Sequence, residues 1–310
     1  MHIFGKLTKH WQIMNYKKIL PNRSLRLKIL KWFDFVPDKQ MIQLQYRLAT
    51  GRKLNLKDPK RFTEKIQWYK LYYRDPLMIQ CSDKYLVRDY VEEKGLKDIL
   101  VPLYGVYEDP EQIDFSNLPQ KFVLKTTNGS HTNILCENKD KLDYQKAIDQ
   151  MKKWLKTWSG KMGREWAYHG ITPRIICEKY LEKDRDGDII DYKFHCFHGE
   201  PYCLYVAVER FLPGGLKFGI FDSHFNLLPY RRSDIKGLDR KISKPRNFEK
   251  MVEIARTLSR DFPHVRVDLY NIDGDIYFGE LTFYDGSGYQ GYVPDDFDFY
   301  LGRKFIIKEK

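Results

Sequence analysis

The chain has 310 residues, with Lys+Arg 54 against Asp+Glu 42, a net charge of +12 and a pI near 9.2. With 42% hydrophobic and 15% aromatic residues it can bury a sizeable core, as one large domain or two ordinary ones. No apolar run is long enough to span a bilayer, the N-terminus has no continuous signal-peptide core, and the basic excess points to anionic partners: nucleic acid, a membrane surface, phosphate-rich ligands or acidic polysaccharide.

Before the first acidic residue, Asp34, come Lys6, Lys9, Lys17, Lys18, Arg23, Arg26, Lys28 and Lys31, interleaved with Trp11, Ile19, Leu27 and Trp32. Such a basic, amphipathic stretch either lies on an anionic membrane surface or packs as a helical arm on its own domain. Nucleic acid is the weakest partner, because no helix-turn-helix, zinc-finger or RNA-binding signature accompanies the charge. The five cysteines (Cys81, Cys136, Cys177, Cys196 and Cys203) are odd in number and lack a CxxC, which fits a reduced, cytosolic setting. His195, Cys196, His198 and Cys203 imitate a zinc cluster, but strand alternation sets His195 on the face opposite Cys196 and His198.

A helix is expected over Lys39–Ala49, and Asp58-Pro59 reads as the start of the next, with Phe62, Ile66, Tyr69 and Tyr73 at core spacing. Asp75-Pro76 repeats the start signal. Ser82 or Asp83 caps a helix over Lys84–Lys94 that Gly95 stops, and a loop holding Pro102 and Pro110 follows. Lys121–Lys125 and Asn133–Cys136 read as strands around a small polar loop, TTNGSH. Asp143–Trp158 is an amphipathic helix and Arg174–Tyr180 an apolar strand. Ile190–His198, Tyr202–Arg210 and Lys217–Asp222 form an antiparallel set, and Asn247 caps a helix through Met251, Ile254 and Leu258. Val265–Ile272 and Asp275–Phe283 are alternating strands joined by an Asp273–Gly274 turn, and an acidic-aromatic tail, Asp295–Tyr300, closes the chain. This mixture predicts an α+β fold rather than a doubly wound parallel sheet. Neither GxGxxG nor GxxxxGK[ST] is present, so a nucleotide must be held in some other way.

Four features supply one. Alternation brings Asp268 and Glu280 together across the hairpin, where two carboxylates repel unless a cation lies between them; oxygen ligands of this kind suit Mg²⁺. Lys125 ends a strand and enters a loop whose N–H and hydroxyl groups can close over phosphate. Lys84 begins a capped helix, and Glu178-Lys179-Tyr180 ends an apolar strand.

The order SDKYLVRDYVEEKG, KFVLKTTNGSH, CEKYLE, DYKFHCFHGEP and RVDLY…YFGELTF resembles the ATP-grasp fold, and more narrowly the TupA-like, teichuronopeptide-biosynthesis type found among polysaccharide genes, over roughly residues 40–300. The resemblance implies two α+β subdomains gripping ATP: a basic helical N-terminal region over 1–80, a subdomain over 81–175 with the phosphate loop, and one over 176–310 with the hinge and the metal carboxylates. It makes Lys84 and Lys125 the ATP-contacting lysines, Lys125 neutralising the α/β-phosphates, and Thr126, Gly129, Ser130 and His131 parts of the loop. Glu178, Lys179, Tyr180 and Leu181 become the hinge that meets adenine through backbone groups, with the Glu178 carboxylate meeting either the adenine amino group or a lysine. Asp191 or Glu182 would hold the ribose. Asp268, Glu280 and Thr282 would hold Mg²⁺, two ions in all, with Thr282 standing where the family often has Asn. Only one glycine, Gly129, lies in the loop.

The implied chemistry phosphorylates a carboxylate, and an amine then attacks the acyl phosphate. Lys193, His195 and Arg210 are the candidates for holding the γ-phosphate and acyl phosphate, with a packed core role the competing reading for His195. Residues 285–289, DGSGY, would form the acceptor-side loop. By family analogy the substrates are an anionic sugar such as a uronic acid and an amine, in a cytoplasmic enzyme of surface polysaccharide or capsule synthesis, with peripheral contact to the inner membrane face through the basic N-terminus. The alternative is a glycosyltransferase using Asp186-Gly187-Asp188 or Asp273-Gly274-Asp275 as a DxD motif for a metal-bound nucleotide sugar; both also suit hairpin turns.

Overall fold

The computed structural model describes residues 32–156, 163–184, 187–210, 212 and 214–307. The basic arm before Trp32 therefore lies outside the described residues, as does Asp186 of the first DxD sequence.

Four helices come first: α1 (Asp38–Thr50), α2 (Phe62–Tyr72), α3 (Pro76–Ser82) and α4 (Val87–Glu93). Then follow β1 (Leu103–Tyr107), β2 (Phe122–Thr126), β3 (Asn133–Cys136), α5 (Tyr144–Leu155) and β4 (Ile175–Lys179). The second half holds β5 (Asp191–Phe197), β6 (Glu200–Val208), β7 (Lys217–Asp222), β8 (Arg231–Arg232), β9 (Lys236–Gly237), α6 (Phe248–Ser259), β10 (His264–Ile272), β11 (Asp275–Thr282), β12 (Tyr292–Val293) and α7 (Asp296–Lys304). Two sheets carry the fold. One runs β1-β4-β2-β3, wholly antiparallel; the other runs β11-β10-β5-β6-β7-β9, antiparallel except for β7 with β9. Helix α5 covers the first through Ala147 and Met151, whereas α6 and α2 cover the second.

The hairpin forms as alternation predicts. Ile272 pairs with Asp275, and both turn residues, Asp273 and Gly274, adopt the left-handed backbone that a two-residue hairpin turn requires. That register sets Asp268 directly opposite Glu280. A bulge at Gly279 follows, shifting the register between the Asp268–Glu280 and Leu269–Phe278 pairs.

Several elements depart from the sequence reading, each through a distant partner. Helix α2 starts at Phe62 rather than at Asp58-Pro59. Its first turn is capped by Glu64, which accepts from the Lys60 and Arg61 N–H groups, and by buried Asp298 of α7, which accepts from the Thr63 N–H at 2.9 Å and hydroxyl at 2.8 Å. The supposed tail at Asp295 is helix α7, packed so closely on the start of α2 that a Cβ at Gly302 would lie 2.1 Å from the Lys60 carbonyl oxygen. Asp83 caps the turn before α4 through the Tyr85 and Leu86 N–H groups, so the helix begins at Val87 and Lys84 stands ahead of it. Residues 103–107, read as loop, are a strand on the open edge of β4; Gly105 masks its pattern. Asn247 precedes α6 but caps it with no side-chain bond; its amide donates to the Gly274 carbonyl.

The principal core wraps Phe62 with Phe197, Phe305 and two histidines. His195 is fully buried, its ring nitrogens without hydrogen-bond partners, 4.3 Å centroid to centroid from Tyr205. The His264 ring meets the Cys196 carbonyl through Nδ1, at 3.0 Å. Burial lowers His195 to about 4, with Asp285 3.8 Å away pulling the other way, and burial together with His195 lowers His264 to about 3. The five cysteines are buried free thiols.

Two outcomes follow from this packing. Gly302→Ala should destabilise the fold by about 1–3 kcal/mol, because the obstruction is backbone and cannot rotate away; a thermal midpoint equal to wild type would contradict that contact. The histidines bind protons in the unfolded chain below about pH 6.5 but not in the fold until about pH 4, so stability is complete above 6.5 and falls as pH drops toward 4. The slope should approach about 1.4 kcal/mol per pH unit for each histidine. His195→Gln should flatten the decline, and a midpoint constant from pH 7 to 5 would count against the buried pair.

Candidate functional site

Between the sheets opens a cleft of about 1200 Å³. The residues singled out for a site line it, except Thr126, His195 and Glu182. Thr126 is buried and works within its loop, its N–H donating to the Thr132 carbonyl at 3.1 Å and its hydroxyl meeting the Thr132 hydroxyl at 2.7 Å. His195 belongs to the core described above and does not reach the cleft.

One wall comes from the first sheet and the turn before α4. Lys125, at the end of β2, donates to Glu178 at 2.7 Å, and Arg88 reaches the other Glu178 oxygen at 3.3 Å. The Glu178 carboxylate thus meets a lysine, and an arginine that the sequence did not suggest. The Lys179 N–H is taken by the Pro102 carbonyl at 2.9 Å, which leaves the hinge backbone beyond it, through Tyr180 and Leu181, facing the cleft. Tyr180 donates its hydroxyl to Glu137 at 2.9 Å. Val101, Val123 and Ile176 give this end apolar walls. Lys84 donates to the Gly129 carbonyl; burial lowers its pKa, opposed by Glu280 across the cleft. Gly129 is fixed by space, since a Cβ would lie 2.3 Å from the Thr132 hydroxyl oxygen. Ser130 and His131 continue the loop along the rim, with His131 in the left-handed region.

The floor is a ladder of alternating charge on β5, β10 and β11. Arg210 pairs with Asp191; Lys193 lies 3.5 Å from Asp191 and 2.5 Å from Asp268, its cross-strand neighbour. Arg266 then grips Asp268 with two nitrogens, Nε–Oδ1 at 2.6 Å and Nη2–Oδ2 at 2.7 Å. The same guanidinium reaches Glu280 at 3.3 Å, the Thr282 hydroxyl at 3.1 Å and Asp285. The cation between the paired carboxylates is therefore a side chain. Burial opposes the Arg266 charge, but Asp268 and Asp285 outweigh it and raise the pKa; burial likewise opposes the Asp268 and Asp285 anions, and their cationic neighbours hold both below the usual carboxylate range. Alternation alone could have assigned Arg266 a role, because it stands two residues from Asp268 on the same strand face.

The residues fit Mg²⁺ and ATP as far as donor chemistry tests them. Glu280 and Thr282 offer oxygen, and at 46% exposure Glu280 is the open carboxylate, whereas Asp268 has both oxygens engaged. Lysines on one wall face oxygen donors on the floor, beside a hinge with apolar walls. Asp191 lines the cleft, but Glu182, the other ribose candidate, pairs with Lys121 outside it. Among the described residues the DxD sequences contribute no carboxylate to the lining: Asp188 accepts from the Glu209 N–H at 2.6 Å, and Asp273 and Asp275 belong to the hairpin turn and its exit.

The TupA-like ATP-grasp family model matches residues 64–306. Among solved structures the chain is similar to a D-alanine–D-alanine ligase from Bacillus anthracis complexed with ATP (15% identity, 66% of this chain and 55% of that chain, TM-score 0.41). It is also similar to an L-amino acid ligase from Bacillus licheniformis (11%, 87% and 57%, 0.45) and to an N5-carboxyaminoimidazole synthase from Aspergillus clavatus in complex with ADP and its ribonucleotide (13%, 66% and 44%, 0.37). The chain spans about half the length of these structures. No curated protein matches it.

Proposed function

The chain belongs to the TupA-like ATP-grasp family, and from that premise we propose that it is an ATP-dependent carboxylate–amine ligase acting through an acyl phosphate. The observation that carries this reading is the meeting, in one cleft, of Lys84 and Lys125 on one wall with the Arg210–Asp191–Lys193–Asp268–Arg266 ladder on the floor. In this reading residues 81–175 supply the phosphate loop and residues 176–310 the hinge and carboxylates, beside an N-terminal region over 1–80.

Lys125 and Lys84 neutralise the phosphates, exchanging Glu178 and the Gly129 carbonyl for phosphate oxygens, which are stronger charged acceptors. Residues 178–181 seat adenine, and Asp191 accepts from the ribose. Mg²⁺, in one or two sites at Glu280, Thr282 and Asp268, would offset charge on the β- and γ-phosphates. Lys193, Arg210 and Arg266 face the transferring phosphoryl group and the acyl oxygen, where preorganised cations favour the developing charge. No enzyme nucleophile is required.

The substrates we propose are a carboxylated sugar, such as a uronic acid, and an amine, in surface polysaccharide assembly; the net charge of +12 suits an anionic glycan. Among the described residues no helix is long and apolar enough to cross a membrane. The same reading places the enzyme in the cytoplasm, touching the inner membrane face through its basic N-terminus.

Mg-ATP should raise the thermal midpoint, with stabilisation of about 2.7 kcal/mol when ATP stands at about a hundred times its Kd. Lys125→Ala should abolish the rise. Glu280→Gln should keep nucleotide binding but lose about 10²–10³ in ADP release when amino acids and uronic acids are screened. A rise with UDP-sugars and none with ATP would overturn the ligase reading in favour of a glycosyltransferase.

A further inference from the structure

At the end of the cleft beyond Glu280, the wall is made by Gly163, Glu165, Tyr168 and Ser287. The loop that carries Ser287 begins at Asp285, which shares the Arg266 guanidinium with Glu280, and this puts the end beside Glu280; burial and the Glu165 and Glu280 carboxylates raise the pKa of the Tyr168 phenol that lines it. Glu165 differs from the other buried or half-buried carboxylates of the cleft, Glu137 being exposed on the rim and held by the Tyr180 hydroxyl. Glu178, Asp191, Asp268, Glu280 and Asp285 each have an Arg or Lys nitrogen within 4.0 Å. Among the described residues no such ion pair reaches Glu165; its close partner is the Ser287 hydroxyl, and burial raises its pKa, with Lys70 and Ser287 acting in the opposite sense. A partly buried carboxylate without a cation is the arrangement that an incoming cation stabilises.

The surroundings are built. Ser287 lies between Gly286 and Gly288 in a run of left-handed residues, a conformation costly for a side chain unless neighbours enforce it. Lys70 and Gln67 enforce it, donating to the Ser287 carbonyl at 2.8 and 3.0 Å. Lys70 also donates to the Ser287 hydroxyl at 2.8 Å, so that hydroxyl must pass its own proton onward, and Glu165 is there to accept it. Lys70 itself is buried over the Tyr289 ring at 4.6 Å, its pKa lowered by burial to about 8; it meets Glu165 across the Ser287 hydroxyl rather than in an ion pair within 4.0 Å, so the place in front of Glu165 is not taken by its ammonium. Gly163 leaves that place open: a Cβ would lie 3.0 Å from the Glu165 carboxyl and 3.1 Å from the Ser287 hydroxyl.

We propose that Gly163, Glu165, Tyr168 and Ser287 form the subsite that receives the ammonium group of the amine substrate, with the Glu165 carboxylate as its counter-ion. The inference rests on the ligase reading. It makes the amine a cation when it binds, a primary amine such as an amino acid, delivered beside the acyl phosphate end of the cleft.

Hydroxylamine separates the two claims, because it is uncharged at neutral pH and traps an acyl phosphate without an ammonium site. With Mg-ATP and D-glucuronate, D-galacturonate or L-glutamate as carboxylate, hydroxamate is measured with hydroxylamine, and ADP release is measured with glycine, L-alanine or L-lysine as amine. Glu165→Gln should lower kcat/KM for the ammonium amines about tenfold or more while hydroxamate formation stays within about twofold. Gly163→Ala should act in the same direction without removing a charge. An unchanged Mg-ATP thermal shift shows that each variant folds; if Glu165→Gln does not fold, Gly163→Ala decides. Equal loss with hydroxylamine and amines, or loss with neither, overturns the subsite while leaving the ligase reading intact. No hydroxamate from wild type with any donor overturns the ligase reading, and the subsite with it.

Discussion

The Arg266 guanidinium is the interaction on which the cleft depends. Asp268, Glu280 and Asp285 converge on one place, with Asp268 and Asp285 almost fully buried, and three carboxylates so close cannot stay ionised without compensation. One planar cation with five donors satisfies all three and the Thr282 hydroxyl as well, which a lysine could not do. Removing such a partner leaves uncompensated charge in the interior, at a cost of about 3–5 kcal/mol. The geometry also links two parts of the cleft. Asp268 and Glu280 sit on the hairpin strands, whereas Asp285 begins the turn that carries Ser287, so a single side chain holds the hairpin carboxylates and the 285–289 loop in fixed relation.

Cations and anions alternate across the floor, so an incoming polyphosphate need not create a charged site. It can exchange partners with one already ionised. In the proposed reading Lys125 and Lys84 give up Glu178 and a loop carbonyl, Lys193 and Arg266 already stand between carboxylates, and Glu280, at 46% exposure, is the carboxylate left for a metal. Compensation without ligand explains why the cleft tolerates so many buried charges while remaining able to bind more.

Local pattern exposed much of this. The Asp273–Gly274 turn fixes the hairpin register, and alternation then pairs Asp268 with Glu280; the apolar run of residues 174–180 and the polar loop after Lys125 mark the first sheet equally clearly. The strand at 103–107 was hidden because Gly105 breaks its pattern and its stability comes from pairing with β4, some 70 residues away. Helix α7 was hidden because its sequence is acidic and aromatic like a tail, and only packing on α2 makes it a helix. The start of α2 is set by Asp298, more than 230 residues distant, which overrides the local Asp-Pro signal. Glu165 lies in a segment with no periodicity, and what distinguishes it, the lack of an ion pair within 4.0 Å among the described residues, is a property of the folded cleft.

The central claim, that Arg266 couples the Asp268 and Glu280 carboxylates to the 285–289 loop, is tested most directly by a double-mutant cycle on stability, with Arg266→Met, Asp285→Asn and the pair unfolded by denaturant. The account predicts strong non-additivity, the double variant being more stable than the sum of the singles allows by at least about 2 kcal/mol. Losses that add to within about 0.5 kcal/mol would contradict it, because the two groups would then be independent.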